Sequence, residues 1–375
     1  MPNSQKMKLL LLIFLIGSCN DNGTGPIPPV DSEPKWEVVP EFVGLDIRYM
    51  INYKEKLYAT VVNYQSDKLY KGALLKTSDG NSWSLVRTFN EGIGPMTVEG
   101  DSLYVNGDKF IYKMDSDEKW VIKFGVPWQI AEAQYNGDMI FLNGNLYVSQ
   151  TRLTGYMYSV TPDSQWRAIY YPPWSESGIG GGRFVKFKKN NVEICYLRHI
   201  ATGGHVSHFD GELLSILDDG LPKPFRGANS LRLHNDTLFA GFMGINNGSS
   251  GMIMYLDNGN TWRIYHDSLP NSPSAFHYIP PSTTLPTEIL FLGENMFVAT
   301  EEFGVLEWKQ DSGWQTLNKG LLLQQITQVD ENLYNTISFL EYFQGKLFAG
   351  YGNPAYMWGT TIAGERKGLL KYQLD

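Results

Sequence analysis

An all-β fold made of one repeated four-stranded unit is what this sequence predicts, from a recurring phrase, the distance between its copies and a recurring tryptophan. The phrase is a turn pair followed by an alternating apolar strand: KLYAT at 56, SLYVN at 102, NLYVS at 145, VEICYL at 192, TLFAG at 237, NMFVA at 295 and KLFAG at 346. From Leu57 through Leu103, Leu146, Ile194, Leu238 and Met296 to Leu347 the steps are about 46, 43, 48, 44, 58 and 51 residues. That period is the length of one four-stranded blade of a β-propeller. Seven copies predict a seven-bladed β-propeller with four antiparallel strands per blade.

A tryptophan follows most copies, at Trp83, Trp120, Trp166, Trp262 and Trp314, and is expected on the fourth, outer strand. Trp166 and Trp262 stand 96 residues apart, two periods, and between them ELLSIL places Leu214 where a tryptophan is due. The seventh phrase is followed by GLLKYQLD and the end of the chain, which leaves its blade one strand short. KWEVVP at 35–40, with Trp36 about 47 residues before Trp83, supplies that strand. The N-terminus is thus expected to complete the last blade and close the ring, removing sheet edges that invite aggregation.

Ahead of the repeats, KMKLLLLIFLIGSCN sets Lys6 and Lys8 before an apolar run from Leu9 to Ile16. The run is too short to span a bilayer and fits a secretory signal. Ile16-Gly17-Ser18-Cys19 resembles the lipobox at which bacterial lipoproteins are cleaved and acylated on cysteine; Met7 is an alternative start. The resemblance implies residues 1–18 as a lipoprotein signal peptide, 19–34 as a lipidated Cys19 with a flexible tether, and 35–375 as the propeller. NDNGTGPIPPVDSEP has too little apolar material to pack. Acyl chains, at about 0.8 kcal/mol per buried methylene, would hold the protein on a membrane. The expected address is a bacterial cell envelope, on the outer membrane where the cell has one. The rest of the chain offers no apolar run of spanning length, so the lipid is the expected membrane contact.

Composition agrees with an exported all-β domain: 42% hydrophobic, 14% aromatic and 38 glycines for turns. With Cys19 lipidated, Cys195 has no disulfide partner and reads as a small core residue. Net charge is −8; without residues 1–18, which carry two lysines and no acid, 29 basic residues face 39 acidic ones. Such a chain lacks the clustered basic surface a phosphate backbone requires, and nucleic acid is not an expected partner. The one basic run, KFKKN at 186–190, reads as a solvated turn between strands.

Two local motifs stand out, KTSDGNSW at 76–83 and YLDNGNTW at 255–262. Both resemble the Asp-box, Ser-x-Asp-x-Gly-x-x-Trp, of BNR-like propellers such as sialidases and sortilin-type receptors. Matching positions are Asp79, Gly80 and Trp83, then Asp257, Gly259 and Trp262; the first copy puts glycine directly after aspartate and the second lacks the leading serine. Degenerate relatives occur at 114–120, 161–167 and 309–315. The motif implies a turn in which aspartate accepts backbone N–H groups and glycine takes positive φ, with the indole filling space between sheets. These residues are structural. Sialidase chemistry is not implied, because no Arg-Ile-Pro precedes the first copy, and acids such as Glu176, Asp218 and Asp219 lack the paired arrangement glycoside hydrolysis needs.

No catalytic residue, metal site or cofactor is assigned. The six histidines form no His-Glu-x-x-His pair, and His205 and His208 in one strand point to opposite faces. SGIGGGR at 177–183 lacks the Lys-Ser/Thr of a phosphate cradle. The remaining candidates lie on the face carrying the second-to-third-strand and blade-to-blade loops: segments 62–71, 125–134, 170–183, 221–227, 241–251, 266–286 and 351–368. They carry Trp128, Tyr170, Tyr171, Trp174, Tyr278, Tyr356 and Trp358 beside Arg183 and Arg226. Aromatics interleaved with polar donors suit a protein hot spot or a sugar platform. Two functions follow: a non-enzymatic binding or scaffolding propeller for an envelope protein, preferred here, or a carbohydrate-binding or carbohydrate-active propeller (glycosidase or lyase).

Overall fold

Short strands bounded by two-residue turns dominate the computed structural model, which describes residues 34–63, 71–115, 118–126, 137–149, 157–169, 183–189, 192–198, 205–222, 226–243, 251–258, 260–267, 269–270, 286–300, 304–321, 337–351 and 368–374. After β1 (Trp36–Val38) the first sheet holds β2 (Asp46–Tyr53), β3 (Lys56–Val62), β4 (Gly72–Thr77) and β5 (Ser84–Phe89). The second holds β6 (Ile93–Glu99), β7 (Ser102–Gly107), β8 (Phe110–Met114) and β9 (Trp120–Gly125), and the third β10 (Met139–Leu142), β11 (Asn145–Ser149), β12 (Met157–Val160) and β13 (Trp166–Ile169). Then come β14 (Phe184–Lys189), β15 (Val192–Arg198), β16 (Val206–Phe209) and β17 (Leu214–Ile216), followed by β18 (Arg226–His234), β19 (Thr237–Met243), β20 (Met252–Leu256) and β21 (Trp262–His266). The sixth sheet is β22 (Pro286–Leu292), β23 (Asn295–Thr300), β24 (Val305–Lys309) and β25 (Gly313–Thr316). In the last, β26 (Ile337–Phe343), β27 (Lys346–Tyr351) and β28 (Gly368–Gln373) are joined on the outer edge by β1.

Every pairing is antiparallel, and the recurring phrase forms the second strand of each sheet. First strands touch in succession, β2 to β6, β10, β14, β18, β22 and β26, and β26 touches β2, so they surround one axis. The fold is an all-β propeller of four-stranded antiparallel blades. Buried apolar side chains cluster at the seams between adjacent sheets: Leu103, Val105 and Met114 of the second sheet meet Tyr58, Leu74 and Phe89 of the first, and Phe348 and Leu369 of the last meet Ile47 and Leu57. Each inner strand is therefore covered on both faces. This is why β3 reads KLYATVV with six of its seven residues buried, while β5, at the outer edge, has one buried residue in six. A strand buried on both faces needs continuous apolar character instead of simple alternation.

The expected closing strand is present. Trp36, Glu37 and Val38 pair with Tyr372, Lys371 and Leu370. Tryptophans begin or immediately precede the outer strands β1, β5, β9, β13 and β21, and Trp314 lies within β25. Three of them lock neighbouring sheets: the Trp166 indole donates to Gly125 O at 2.9 Å, that of Trp262 to Leu217 O at 2.8 Å, and that of Trp36 to Leu317 O. Each acceptor terminates or immediately follows the outer strand of the preceding sheet. At two seams the backbone joins in, with Trp262 N–H on Asp219 O and Trp36 N–H on Lys319 O, both at 2.9 Å. Leu217-Asp218-Asp219-Gly220-Leu221 and Leu317-Asn318-Lys319-Gly320-Leu321 are thus two copies of one docking turn.

Between third and fourth strands, Asp79 accepts the N–H groups of Asn81 at 2.8 Å and Ser82 at 2.9 Å, while Gly80 turns at φ +69°. Trp83 packs edge-on against Phe42 and Phe348. Asp257 accepts Thr261 N–H at 2.9 Å, and Asp115 accepts Lys119 N–H at 2.9 Å; Gly259 lies outside the described residues. In the fourth sheet, where no tryptophan marks the strand, Asp210 does the same for Glu212 and Leu213. The backbone N–H donors to Asp79 hold its carboxyl down at about 2. A depressed carboxyl contributes stability that is present above its unfolded pKa and lost as pH falls through the folded value. Asp79→Asn is accordingly expected to be less stable than wild type at pH 7, with the deficit shrinking between about pH 4 and pH 2, read from urea midpoints across that range.

The basic run at 186–190 departs from expectation. Phe184–Lys189 is the first strand of its sheet, and Lys186 is drawn into an ion pair with Glu99 of β6 at 3.1 Å. Lys186, Phe187, Lys188 and Lys189 thus belong to a strand that lines the axis and not to a solvated turn. Arg226 and 241–243 likewise lie in strands β18 and β19, not in loops, because pairing extends to Arg226↔Met243. No helix among the described residues is long and apolar enough to cross a membrane.

Candidate functional site

Polar and aromatic side chains of the first strands gather around the axis. Register places them at a common height: Tyr49 lies opposite Thr60, Glu288 opposite Ala299 and Phe339 opposite Gly350, each three residues beyond the leucine or methionine of its phrase. Asp138 reaches the same height, exchanging hydrogen bonds with Ser149. Arg183 stands one residue before β14.

Two links cross from sheet to sheet. The Tyr49 hydroxyl donates to Asp138 Oδ1 at 2.9 Å, passing the second sheet at its Gly94-Pro95 stretch. Asp138 also accepts N–H bonds from Met139 and from Phe184, both at 2.8 Å, and so ties the first, third and fourth sheets. Arg183 forms an ion pair with Glu288, whose side chain is 1% exposed, reaching past the fifth sheet where Ala228 and Ser230 stand. The Arg183 guanidinium also lies 5.9 Å from the centre of the Phe339 ring, within cation–π range. Burial pushes the Asp138 carboxyl up, against the opposing pull of Phe184 N–H and the Arg183 charge. It pushes the Tyr49 hydroxyl well above its ordinary value, and the Asp138 charge adds to that.

A second height lies nearer the first hairpins. Ile51, Thr97, Ile140, Lys186, Arg232, Leu290 and Glu341 all sit opposite the position that follows the phrase's leucine, isoleucine or methionine. Glu341 accepts from Asn52 Nδ2 at 3.0 Å, and burial raises its carboxyl against the pull of Arg232. Arg232 is lowered by burial, partly offset by Glu341.

Of the sequence-derived ligand-face residues, Arg183 is the one whose side chain the structure places, and it stands on the axis. Trp128, Tyr170, Tyr171, Trp174, Tyr278, Tyr356 and Trp358 lie outside the described residues, as do Cys19 and the side chain of Arg226. Three of the segments they occupy precede axial residues in sequence, 127–136 before Asp138, 170–182 before Arg183 and 271–285 before Glu288, while Tyr356 and Trp358 fall between β27 and β28. His205 contacts Asp218 at 3.0 Å and Asp219 accepts from the Thr261 hydroxyl at 2.8 Å, so both acids serve the docking turn. Among the described residues no His, Cys, Asp and Glu group has the geometry of a metal site.

Fold and axial belt define a propeller whose first strands carry a largely buried polar belt around the axis. No protein-family model and no curated protein matches the sequence. Solved propellers do match in fold. A catalytically inactive variant of virginiamycin B lyase from Staphylococcus aureus, solved with quinupristin, aligns over 92% of this chain and 100% of its own at TM-score 0.60 and 10% identity. PorZ, a surface component of the type-IX secretion system of Porphyromonas gingivalis, aligns over 88% of this chain at TM-score 0.54 and 15% identity; this chain spans 46% of PorZ. YCF48 bound to a D1 peptide aligns over 92% of this chain and 97% of its own at TM-score 0.53 and 11% identity.

Proposed function

We propose that this chain is a lipid-anchored protein of a bacterial cell envelope, a seven-bladed ring with Asp-box-like turns that binds a protein partner on its long-loop face without catalysing a reaction. Seven four-stranded sheets and the return of β26 to β2 support the blade count. The observation that carries the binding function is the axial floor: the Tyr49 hydroxyl is engaged by Asp138, and the Arg183 charge by Glu288. A floor whose polar groups are engaged by one another suits a binding role better than a catalytic one. YCF48 with its D1 peptide is a propeller of similar fold holding a protein segment, and PorZ is one placed on a bacterial surface. The loop aromatics favour a second function, in which the same face takes a carbohydrate or acts on one.

In-cell crosslinking of the full chain is expected to capture one protein at stoichiometric yield, and Trp174→Ala with Trp358→Ala to abolish that capture. Recovery of polysaccharide in place of protein would transfer the assignment to the carbohydrate function. Incorporation of an alkynyl fatty acid, lost in Cys19→Ala, checks the anchor; incorporation that survives the substitution would remove Cys19 from it.

A further inference from the structure

Arg232 is a largely buried cation without a contacting counter-ion. Its side chain is mostly withdrawn from water on β18, yet among the described residues it forms no ion pair and its guanidinium donates no hydrogen bond; the charges it feels are those of Glu341, Arg183 and Tyr49. Glu341 sits at the same height on β26, with Leu290 of β22 on the sheet between them: the three lie opposite Phe239, Phe297 and Phe348, the same position of three successive phrases. Glu341 is also largely buried and is held by Asn52 and Tyr342 N–H. The two opposite charges stand two sheets apart at one height of the ring without closing to a contact, and neither leaves a buried polar atom without a partner, so the guanidinium fork and the free carboxylate oxygen remain open to a solute. The other cation at this height, Lys186, is already matched by Glu99, and Arg183 by Glu288.

We propose that Arg232 and Glu341 form a binding site on the ring axis for a carboxylate bearing a nitrogen donor on its α-carbon. The planar fork of Arg232 would take the carboxylate oxygens in a bidentate contact, and Glu341 would accept from the α-nitrogen. Such a ligand satisfies both side chains and adds no net charge when the nitrogen is an ammonium. The site is separate from the loop face, lying on the hairpin side of the Tyr49–Asp138 and Arg183–Glu288 links. Its chemistry is common to free amino acids and to the carboxyl terminus of a peptide.

The test is calorimetric titration of the full chain in detergent with a set of free L-amino acids, their N-acetyl forms and their carboxamides. Saturable binding is expected that is lost in the carboxamides and weakened at least tenfold by Arg232→Gln and by Glu341→Gln, with both variants retaining wild-type circular dichroism. Tight binding of N-acetyl forms identifies a peptide terminus, and binding confined to free amino acids identifies the small solute. Should Arg232→Gln not fold, Arg232→Lys keeps the charge, removes the fork and is expected to give the same weakening. The proposal is overturned if no member of the set binds saturably, if acetate competes as well as the best ligand, or if binding survives the axial substitutions unchanged.

Discussion

Alanine at Gly320 is expected to destabilise the ring by about 2–5 kcal/mol, combining about 1–2 kcal/mol for a left-handed backbone with about 1–3 kcal/mol for overpacking. Gly320 turns at φ +84°, and a Cβ there would overlap the Trp36 carbonyl oxygen and stand 3.0 Å from the Trp36 nitrogen. That backbone is held in place by its hydrogen bond to Lys319 O and by the Trp36 indole on Leu317 O. The added methyl therefore pushes the closing strand away from the preceding sheet while β1 still has to pair with β28. Gly220→Ala meets the same obstacle against Trp262, inside the ring. Gly293→Ala is the control: its φ is +59° with nothing within 4 Å of the added Cβ, and only the backbone cost of about 1–2 kcal/mol applies. Urea unfolding of the three variants separates the effects. Equal losses at Gly320 and Gly293 would mean that the docking turn does not hold the seam.

The docking turn shows where sequence was readable and where it was not. Inner strands declared themselves because both of their faces are buried, so KLFAG or NLYVS keeps its apolar character whatever the neighbouring blade carries. Outer strands declared themselves through their tryptophans, and the missing strand of the last sheet pointed to Trp36. Leu217–Leu221 and Leu317–Leu321 escaped notice because two copies 100 residues apart make no visible period; their role appears once the indoles of Trp262 and Trp36 are seen to land on them. The axial belt was hidden for a different reason. Tyr49, Asp138, Arg183, Arg232, Glu288 and Glu341 come from six different sheets, each a solitary polar residue in its own segment, and only ring closure brings them together. A faint signal existed: at the height where other first strands carry Ile51, Ile140 and Leu290, the repeats at 232 and 341 carry arginine and glutamate, an expensive choice for a buried position. Lys186 shows the same effect in reverse, a charge that reads as part of a turn and is paired from its axial strand with Glu99, both side chains staying partly exposed.

Removing the Asp138 carboxylate is expected to have the largest effect within the axial belt, about 3–5 kcal/mol for Asp138→Ala, the range found when one partner of a buried charged network is deleted. The cost has distinct sources. Phe184 N–H and Met139 N–H lose their acceptor, the buried Tyr49 hydroxyl loses its partner, and Arg183 loses a nearby negative charge. Each orphaned buried donor costs about 1–3 kcal/mol, less whatever water or relaxation recovers. Because those donors belong to three sheets, the loss should appear as a lower midpoint for the whole ring and not as local fraying. Protonation gives a second, independent measurement. Burial raises Asp138 and Glu341 above their unfolded values, so the folded state binds protons that the unfolded state has released in the window between the ordinary carboxylate range and the raised values. Stability therefore falls as pH rises through that window, opposite in sign to the contribution of Asp79. Asp138→Asn and Glu341→Gln, which cannot titrate, should each flatten that part of the stability profile while the acid-side loss set by Asp79 persists. An unchanged slope in both variants would mean that the belt is solvated and its charges are shared with water, in which case Asp138→Ala should cost no more than a surface substitution, within about 0.5 kcal/mol of wild type.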